Sequence, residues 1–231
     1  MIYLTGDIHG ELSINKLSFN SNDFMKDLTE EDYLIILGDF GLFWSNPTSN
    51  SEKYWLNWLS DQKYTTLFLD GNHENFNIIN NFKEIDKFGG KVGQAWKNKI
   101  FHLKRGEIYT IDNNKLLTIG GAYSIDRKYR TLNRSYWDEE LLSYEDIQHI
   151  EDNLKQHNNK VDYVLTHTPP GVLVPIFINI YGSQDTVAAY FNSMYSYIEF
   201  KHWYSGHLHV DQTYDKVTVL FDKIIKLGEI L

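Results

Sequence analysis

The sequence predicts an α/β fold of two mixed β-sheets packed face to face with helices outside, and three observations lead to it. Short apolar runs recur along the chain, and each ends at a polar or glycine-marked corner. Stretches of helical period lie between them. The composition, 42% hydrophobic and 15% aromatic with 23% charged residues in a chain of 231, is that of a globular protein able to bury a real core.

Taken in order, Ile2 to Thr5 ends at Gly6-Asp7, Tyr33 to Leu37 at Gly38-Asp39, and Thr65 to Leu69 at Asp70-Gly71-Asn72-His73. Further on, Leu116 to Ile119 ends at Gly120-Gly121, Val161 to Thr166 at His167, and His202 to Ser205 at Gly206-His207. Runs of this length, rich in Ile, Leu, Val, Tyr and Thr, read as buried strands, which then deliver polar groups from their C-terminal ends. Helices are expected over Glu52 to Leu59, Asn75 to Phe82, Tyr144 to Gln156 and Asp185 to Tyr197. In the third, Ile147, Ile150 and Leu154 share a face, and Ser143 with Asp146 three residues on makes an N-cap pattern.

Ile100 to Ile119 holds two β-rich runs joined by Asp112-Asn113-Asn114, which suggests a hairpin, and Asp211 to Phe221 looks similar. No repeat, low-complexity tract or Pro-rich or Ser-rich linker divides the chain, so one domain over residues 1–231 is expected. Tyr123 to Trp137 is the longest stretch without periodicity, and an aromatic, basic loop of that length is often functional.

The 22 Lys and Arg against 31 Asp and Glu leave a net charge of −9. A field of that sign argues against nonspecific binding to nucleic acid or to an anionic membrane face, without excluding a locally positive site. With no cysteine, disulfides, thiolate zinc sites, iron–sulfur clusters and a catalytic thiol are excluded. The N-terminus lacks the basic start and apolar run of a secretory signal. The longest greasy stretch, Gly171 to Ile180, contains a proline and is too short to span a bilayer. A soluble, cytoplasmic protein is the expectation.

Of nine histidines, His9, His73, His167, His207 and His209 fall at strand ends, beside Asp7, Asp39 and Asn72. Imidazole and oxygen donors without thiolates suit Mn, Fe, Zn, Ni or Co. A catalytic zinc takes about three protein ligands, so the surplus of donors asks for two ions.

Asp7-x-His9-Gly10, Gly38-Asp39, Gly71-Asn72-His73-Glu74, His167 and Gly206-His207-x-His209 follow one another in an order and spacing that resembles the calcineurin-like metallophosphoesterases over nearly the whole chain. The nearest likeness is to the small bacterial and phage-type branch. The resemblance implies the four-layer metallophosphoesterase sandwich and two divalent ions, manganese first, with iron, zinc, nickel or cobalt as alternatives. It implies that Asp7, His9, Asp39 and His209 hold one ion, and that Asp39, Asn72, His167 and His207 hold the other, with Asp39 bridging. It further implies hydrolysis of phosphate mono- or diesters by a hydroxide held between the ions, with His73 protonating the leaving oxygen. A shared carboxylate suits such a pair, which clamps the attacking and leaving oxygens of an in-line displacement.

The chain departs from the family's protein phosphatases, which carry a second Asp three residues after the bridging one and then Arg. Here those positions are Leu42 and Phe43. A protein-serine/threonine phosphatase is therefore the weaker enzyme reading, and an inactive scaffold keeping the fold is the alternative from another class. The missing phosphate clamp is sought in the loop after Gly120-Gly121, where Arg127 and Arg130, with Lys128 and Arg134, lie among Tyr123, Tyr129, Tyr136 and Trp137; the alternative is a solvated basic loop. Glu74 is expected to be structural, supporting His73 or a backbone amide. His149 and His157 are expected on a solvated face, and His102 and His202 away from the site. Trp44, Trp55, Trp58 and Trp96 are expected to fill cores. The sequence gives Asp70 no partner, and it leaves the oligomeric state open.

Overall fold

The computed structural model describes residues 1–179 and 184–231. The greasy stretch noted above thus loses its last residue, Ile180, which lies outside the described residues. Thirteen strands form two sheets of seven and six. The first sheet contains β1 (Ile2–Thr5), β2 (Tyr33–Ile36), β3 (Thr65–Phe68), β4 (Lys83–Lys87), β5 (Gly90–Trp96), β6 (Ile100–Leu103) and β13 (Ile224–Lys226). The second contains β7 (Ile108–Ile111), β8 (Asn114–Ile119), β9 (Tyr163–Thr166), β10 (His202–Ser205), β11 (Gln212–Tyr214) and β12 (Val217–Val219). Their orders are β13-β1-β2-β3-β6-β5-β4 and β11-β12-β10-β9-β8-β7.

Each sheet has four parallel strands at its centre and antiparallel strands at its edges. Parallel strands are covered on both faces, which is why their sequences are nearly continuous apolar runs. The period of two still sorts the side chains. Leu34 and Ile36 belong to a core cluster with Leu56 and Leu59, whereas Ile35 and Leu37 belong to the layer between the sheets. In the other sheet Leu116, Leu165 and Tyr204 face that same middle layer, while Leu117, Val164 and Trp203 pack with Ile150, Phe191 and Met194.

Those last residues come from α3 (Tyr144–Gln156) and α5 (Thr186–Tyr197); α1 (Asn50–Ser60) covers the first sheet. The result is helices, sheet, sheet, helices. Two shorter helices, α2 (Phe76–Ile79) and α4 (Val174–Ile178), sit beside strand ends. Among the described residues, no helix is long and apolar enough to cross a membrane.

Two expectations change, and one segment for which none was stated gains structure. The helix expected over Asn75 to Phe82 stops at Ile79, and β4 begins at Lys83 and pairs with β5 across a turn in which Phe88 and Gly89 have φ of 58° and 86°. The segment Ile100 to Ile119 is not one hairpin: β6 lies parallel to β3 in the first sheet, and only β7 and β8 form the hairpin, through Asp112 and Asn113 at φ of 49° and 59°. Residues 10–27, left unassigned by periodicity, form three short 3-10 turns.

Register sets the site. Thr5 pairs with Ile36 and Ile36 with Phe68, so β1, β2 and β3 end level and release Asp7, Asp39 and Asn72 at one edge. Ile119 pairs with Thr166 and Tyr204 with Leu165, and His167 and His207 leave the second sheet in the same way. In open α/β sheets a ligand crevice lies at the carboxyl ends of the strands, and here two such edges meet.

Candidate metal centre

Asp7 and Asp39 are both buried to within 1% of full enclosure. Asp7 Oδ1 accepts the His207 amide at 2.9 Å, and its Oδ2 lies 3.0 Å from His209 Nε2 and 3.6 Å from His9 Nε2. The two imidazoles meet directly, His9 Nε2 being 3.0 Å from His209 Nε2. Asp39 presents one oxygen to each side: Oδ2 lies 3.7 Å from His9 Nδ1 and Oδ1 lies 3.4 Å from His167 Nε2. Oδ1 also accepts the His73 amide at 2.7 Å. Donor atoms of Asp7, His9 and His209, and those of Asp7, Asp39 and His167, each fall within 4.8 Å of one another.

His167 defines the inner side of the cluster. Its Nδ1–H donates to the Leu37 carbonyl at 2.8 Å, so Nε2 faces Asn72 Oδ1, 3.0 Å away. The Asn72 amide nitrogen donates to Ser124 Oγ at 3.0 Å, which turns its oxygen inward. An imidazole fixed by a backbone carbonyl with its second nitrogen beside an amide oxygen and a carboxylate is the arrangement of a metal ligand and its support. Burial lowers the His167 pKa, but the carboxylates of Asp39 and Asp7 lift it to about 10. A proton therefore holds the positive charge that the buried carboxylates demand, at the place a cation fits. Burial, helped by His167, holds His207 down at about 4, a neutral ring whose centroid is 4.9 Å from that of His167.

Backbone geometry places these side chains. His9, Asp39, His207 and His209 have φ of 45°, 47°, 67° and 52°, so the chain reverses as soon as each strand ends. Residues His207 and His209, alternate in sequence, thereby reach the same cluster. Gly71 has no room for a side chain: a Cβ would stand 2.0 Å from Asp39 Oδ1. Gly38, at φ +95°, would carry a Cβ 2.2 Å from His167 Nδ1.

Several supports were not legible in the sequence. Lys16 is part-buried, and its ammonium donates to the carbonyls of Gly6 at 3.3 Å, Asp7 at 2.7 Å and Phe221. Burial pulls its pKa down to about 8. The Phe221 ring stacks on His209 with centroids 4.4 Å apart, so one lysine ties the β1 corner to the segment beneath the last histidine. Glu74, by contrast, was expected as a structural support, and it accepts the amides of Phe40 at 2.7 Å and Gly41 at 3.3 Å, which braces the corner after Asp39.

Asp70 finds two partners, His102 Nε2 at 3.0 Å and Arg105 at 2.6 and 2.9 Å. Arg105 also donates to the carbonyls of Glu139 at 2.6 Å and Leu141 at 2.8 Å, linking the Asn72 corner to the far end of the long loop. No periodic pattern marks a lone Lys or Arg as a tether; the signal in each case is only a charged residue in a stretch that must bury.

The loop from Tyr123 to Trp137 brings one of the two expected arginines to the cluster. Arg130 Nη2 lies 3.0 and 3.2 Å from the ring nitrogens of His73, and its Nε donates to Asp126 at 2.9 Å. Arg127 does not line the cavity beside the cluster. Its guanidinium pairs with Asp138 at 2.7 Å and lies over the Tyr136 ring, 4.7 Å from its centroid. The expectation that Arg127 grips substrate is thus corrected, because a carboxylate and a ring within its own loop already hold it. Burial and the Arg130 cation lower the His73 pKa against the pull of Asp39.

Leu42 and Phe43 are buried core residues, with Phe43 packed on Phe40, Phe68 and Phe82. Neither of those positions faces the cluster as a polar group. The remaining histidines lie elsewhere: His102 on Asp70, His149 against Glu107 at 3.3 Å, His157 at the end of α3, and His202 on Thr218 at 2.8 Å. Trp55, Trp58 and Trp96 pack against the first core cluster, whereas Trp44 is 37% exposed.

A cavity of about 410 Å³ opens onto Asp39, Asn72, His73, Arg130, His207 and His209. A larger one, about 860 Å³, lies on the Asp70 and Arg105 side, outside the cluster. There Arg105 pairs with Asp70 and Asp146 and His149 with Glu107, and none of the clustered Asp7, His9, Asp39, His167 and His209 lines it, so the smaller cavity is the candidate site.

The family model described as calcineurin-like phosphoesterase matches residues 1–211 of this chain. An uncharacterised protein of Acanthamoeba polyphaga mimivirus is 27% identical over 206 residues, covering 81% of this chain and 70% of the viral protein.

Proposed function

Because the chain belongs to the calcineurin-like phosphoesterase family, we propose that it is a metal-dependent phosphoric ester hydrolase acting on phosphate mono- or diesters with two divalent cations, manganese foremost. Asp7, His9, Asp39 and His209 would hold one cation, and Asp39, Asn72, His167 and His207 the other. The single observation that carries this is His167: its Nδ1 is committed to the Leu37 carbonyl, and its Nε2 faces the oxygens of Asn72 and Asp39. When bound, the cations supply Lewis-acid polarisation of the phosphoryl oxygens and acidify water in the site.

The chain's own residues do the rest. Arg130, with Nε held by Asp126, keeps its Nη2 in the cavity, where it would grip a phosphoryl oxygen. His73 is fixed through its amide to Asp39 and would pass a proton to the departing oxygen. Burial first, and then the Arg130 cation, lowers the His73 pKa, and a phosphate that draws Arg130 onto itself would lessen the second of these. Leu42 and Phe43, buried in the core, weigh against the protein-phosphatase reading. Convergence of all seven donors weighs against an inert scaffold.

The test is Asp39→Asn. Metal content measured by elemental analysis after reconstitution, and hydrolysis of p-nitrophenyl phosphate and its bis ester, should fall together while the circular dichroism spectrum persists. Full metal content and turnover in this variant would overturn the assignment.

A further inference from the structure

We infer that the organic group of the substrate ester is small, uncharged and apolar, and that it sits in the cavity beside the cluster; this rests on the phosphoesterase reading above. The cavity measures about 410 Å³, within the range of roughly 300 to 1,000 Å³ typical of small-ligand sites. At roughly 30 Å³ per water, it has room for on the order of ten waters beyond those a phosphoryl group displaces. The space therefore belongs to the organic part of the ester.

Away from the donors most of its lining surface is apolar, with Tyr123, Ser124 and Thr168 adding neutral polar groups. Ile125 comes from the long loop, Val174 and Ile178 from α4, and Leu208 from between the two histidines. The charged residues that join them are Arg130, Asp126 and Asp185. Asp126 accepts from Arg130, and Asp185 caps α5 by accepting the amides of Val187 at 2.9 Å and Ala188 at 3.1 Å.

A second phosphate or a carboxylate on the substrate would meet those two carboxylates, with Arg130 already required by the reacting phosphoryl group. An ammonium would find both carboxylates with partners in place. An uncharged group is what remains, and most of the surface it meets is apolar, with the neutral Tyr123, Ser124 and Thr168 beside it. Hydrolysis breaks the phosphorus–oxygen bond to the organic group, water supplies the new oxygen on phosphorus, and a proton goes to the departing oxygen. A neutral alcohol is then left in the cavity, matched to its lining.

Three esters with leaving groups of matched acidity test this: 1-naphthyl phosphate, a carboxylate-bearing naphthyl phosphate and an ammonium-bearing one. A charged group that keeps the ring from seating forfeits burial of about 100 Å² of aryl surface, a loss on the order of 50-fold in kcat/KM, so the metal-loaded protein should favour the plain ester by about that factor. Ile125→Lys, at a position 85% exposed and so safe for folding, should shrink the preference over the carboxylate ester at least fivefold. Val174→Asp should reduce turnover of the plain ester relative to the ammonium ester.

Binding of 1-naphthol to metal-free protein, followed by fluorescence titration, should weaken in the Ile125→Lys variant. Equal kcat/KM for the three esters, a preference for either charged one, or no naphthol binding overturns this inference and leaves the phosphoesterase reading intact. Hydrolysis of none of the esters by metal-loaded protein overturns both.

Discussion

Arg130 and His73 stand 3.0 Å apart, and the charge of one limits the other. With the guanidinium beside it, a buried imidazole stays neutral, and a neutral imidazole is a poor acid. The proposed division of labour puts the phosphoryl oxygen on Arg130 and the proton transfer on His73. Arg130→Ala should raise KM and leave metal content unchanged, which titration of bound metal would check. His73→Gln should slow alkyl esters, whose leaving groups need protonation, by about 100-fold or more. Activated p-nitrophenyl esters should lose much less, and steady-state kinetics on the two ester types would separate the effects. Equal losses on both would remove the acid role from His73.

The corners that carry these residues are braced by elements, and α1 shows how. Its N-cap Ser49 and third residue Glu52 form a reciprocal capping box. The Glu52 carboxylate also accepts the amides of Trp44 and Ser45, each at 2.8 Å, so it closes the loop that follows the Asp39 corner. Burial alone would raise its pKa, but the hydrogen bonds from Ser49, Ser45 and Trp44 hold it below the usual 4.5. A carboxylate depressed in the folded state stabilises the fold fully above its unfolded pKa, and that stability is lost as the pH falls through the folded value.

Glu52→Gln should therefore cost about 2 kcal/mol at neutral pH, with the difference from the parent narrowing below about pH 4.5. Urea melts at pH 7 and pH 4 would check it. The Arg105 tether works at the same scale, joining Asp70 at the end of β3 to the Glu139 and Leu141 carbonyls beyond the long loop.

At the scale of the whole molecule, the cluster is where the two sheets are joined chemically. Asp7, Asp39 and Asn72 leave the first sheet, while His167, His207 and His209 leave the second. The two buried carboxylates of Asp7 and Asp39 favour positive charge there and raise the pKa of His167. A cation that binds only the folded chain adds stability by mass action, about 4 kcal/mol at a thousand times its Kd. Removing metal with a chelator should lower Tm by several degrees, and adding Mn²⁺ should restore it, as calorimetry would show. Asp39→Asn should abolish that response to Mn²⁺.

What the sequence by itself determined is where six of the buried strands end and the chemistry at those ends. An apolar run that stops at Gly38-Asp39 or Gly71-Asn72-His73 marks a strand end, because buried strands exclude charge and sharp corners need residues that tolerate positive φ. The donor types, the absence of thiolates and the departure at Leu42 and Phe43 were likewise legible. Tertiary structure alone decided which cation reaches the cluster. Arg127 and Arg130 are three residues apart in one aromatic loop, yet Asp138 and the Tyr136 ring hold the first while the second reaches His73.

Tertiary structure also split Ile100 to Ile119 between the sheets and turned the end of the expected Asn75 to Phe82 helix towards a strand, since strand pairing depends on partners distant in sequence. Lys16, Arg105 and Ser124 act through contacts with segments 200, 36 and 52 residues away or thereabouts. No local period encodes contacts of that kind, because they exist only once the strand ends have been brought level.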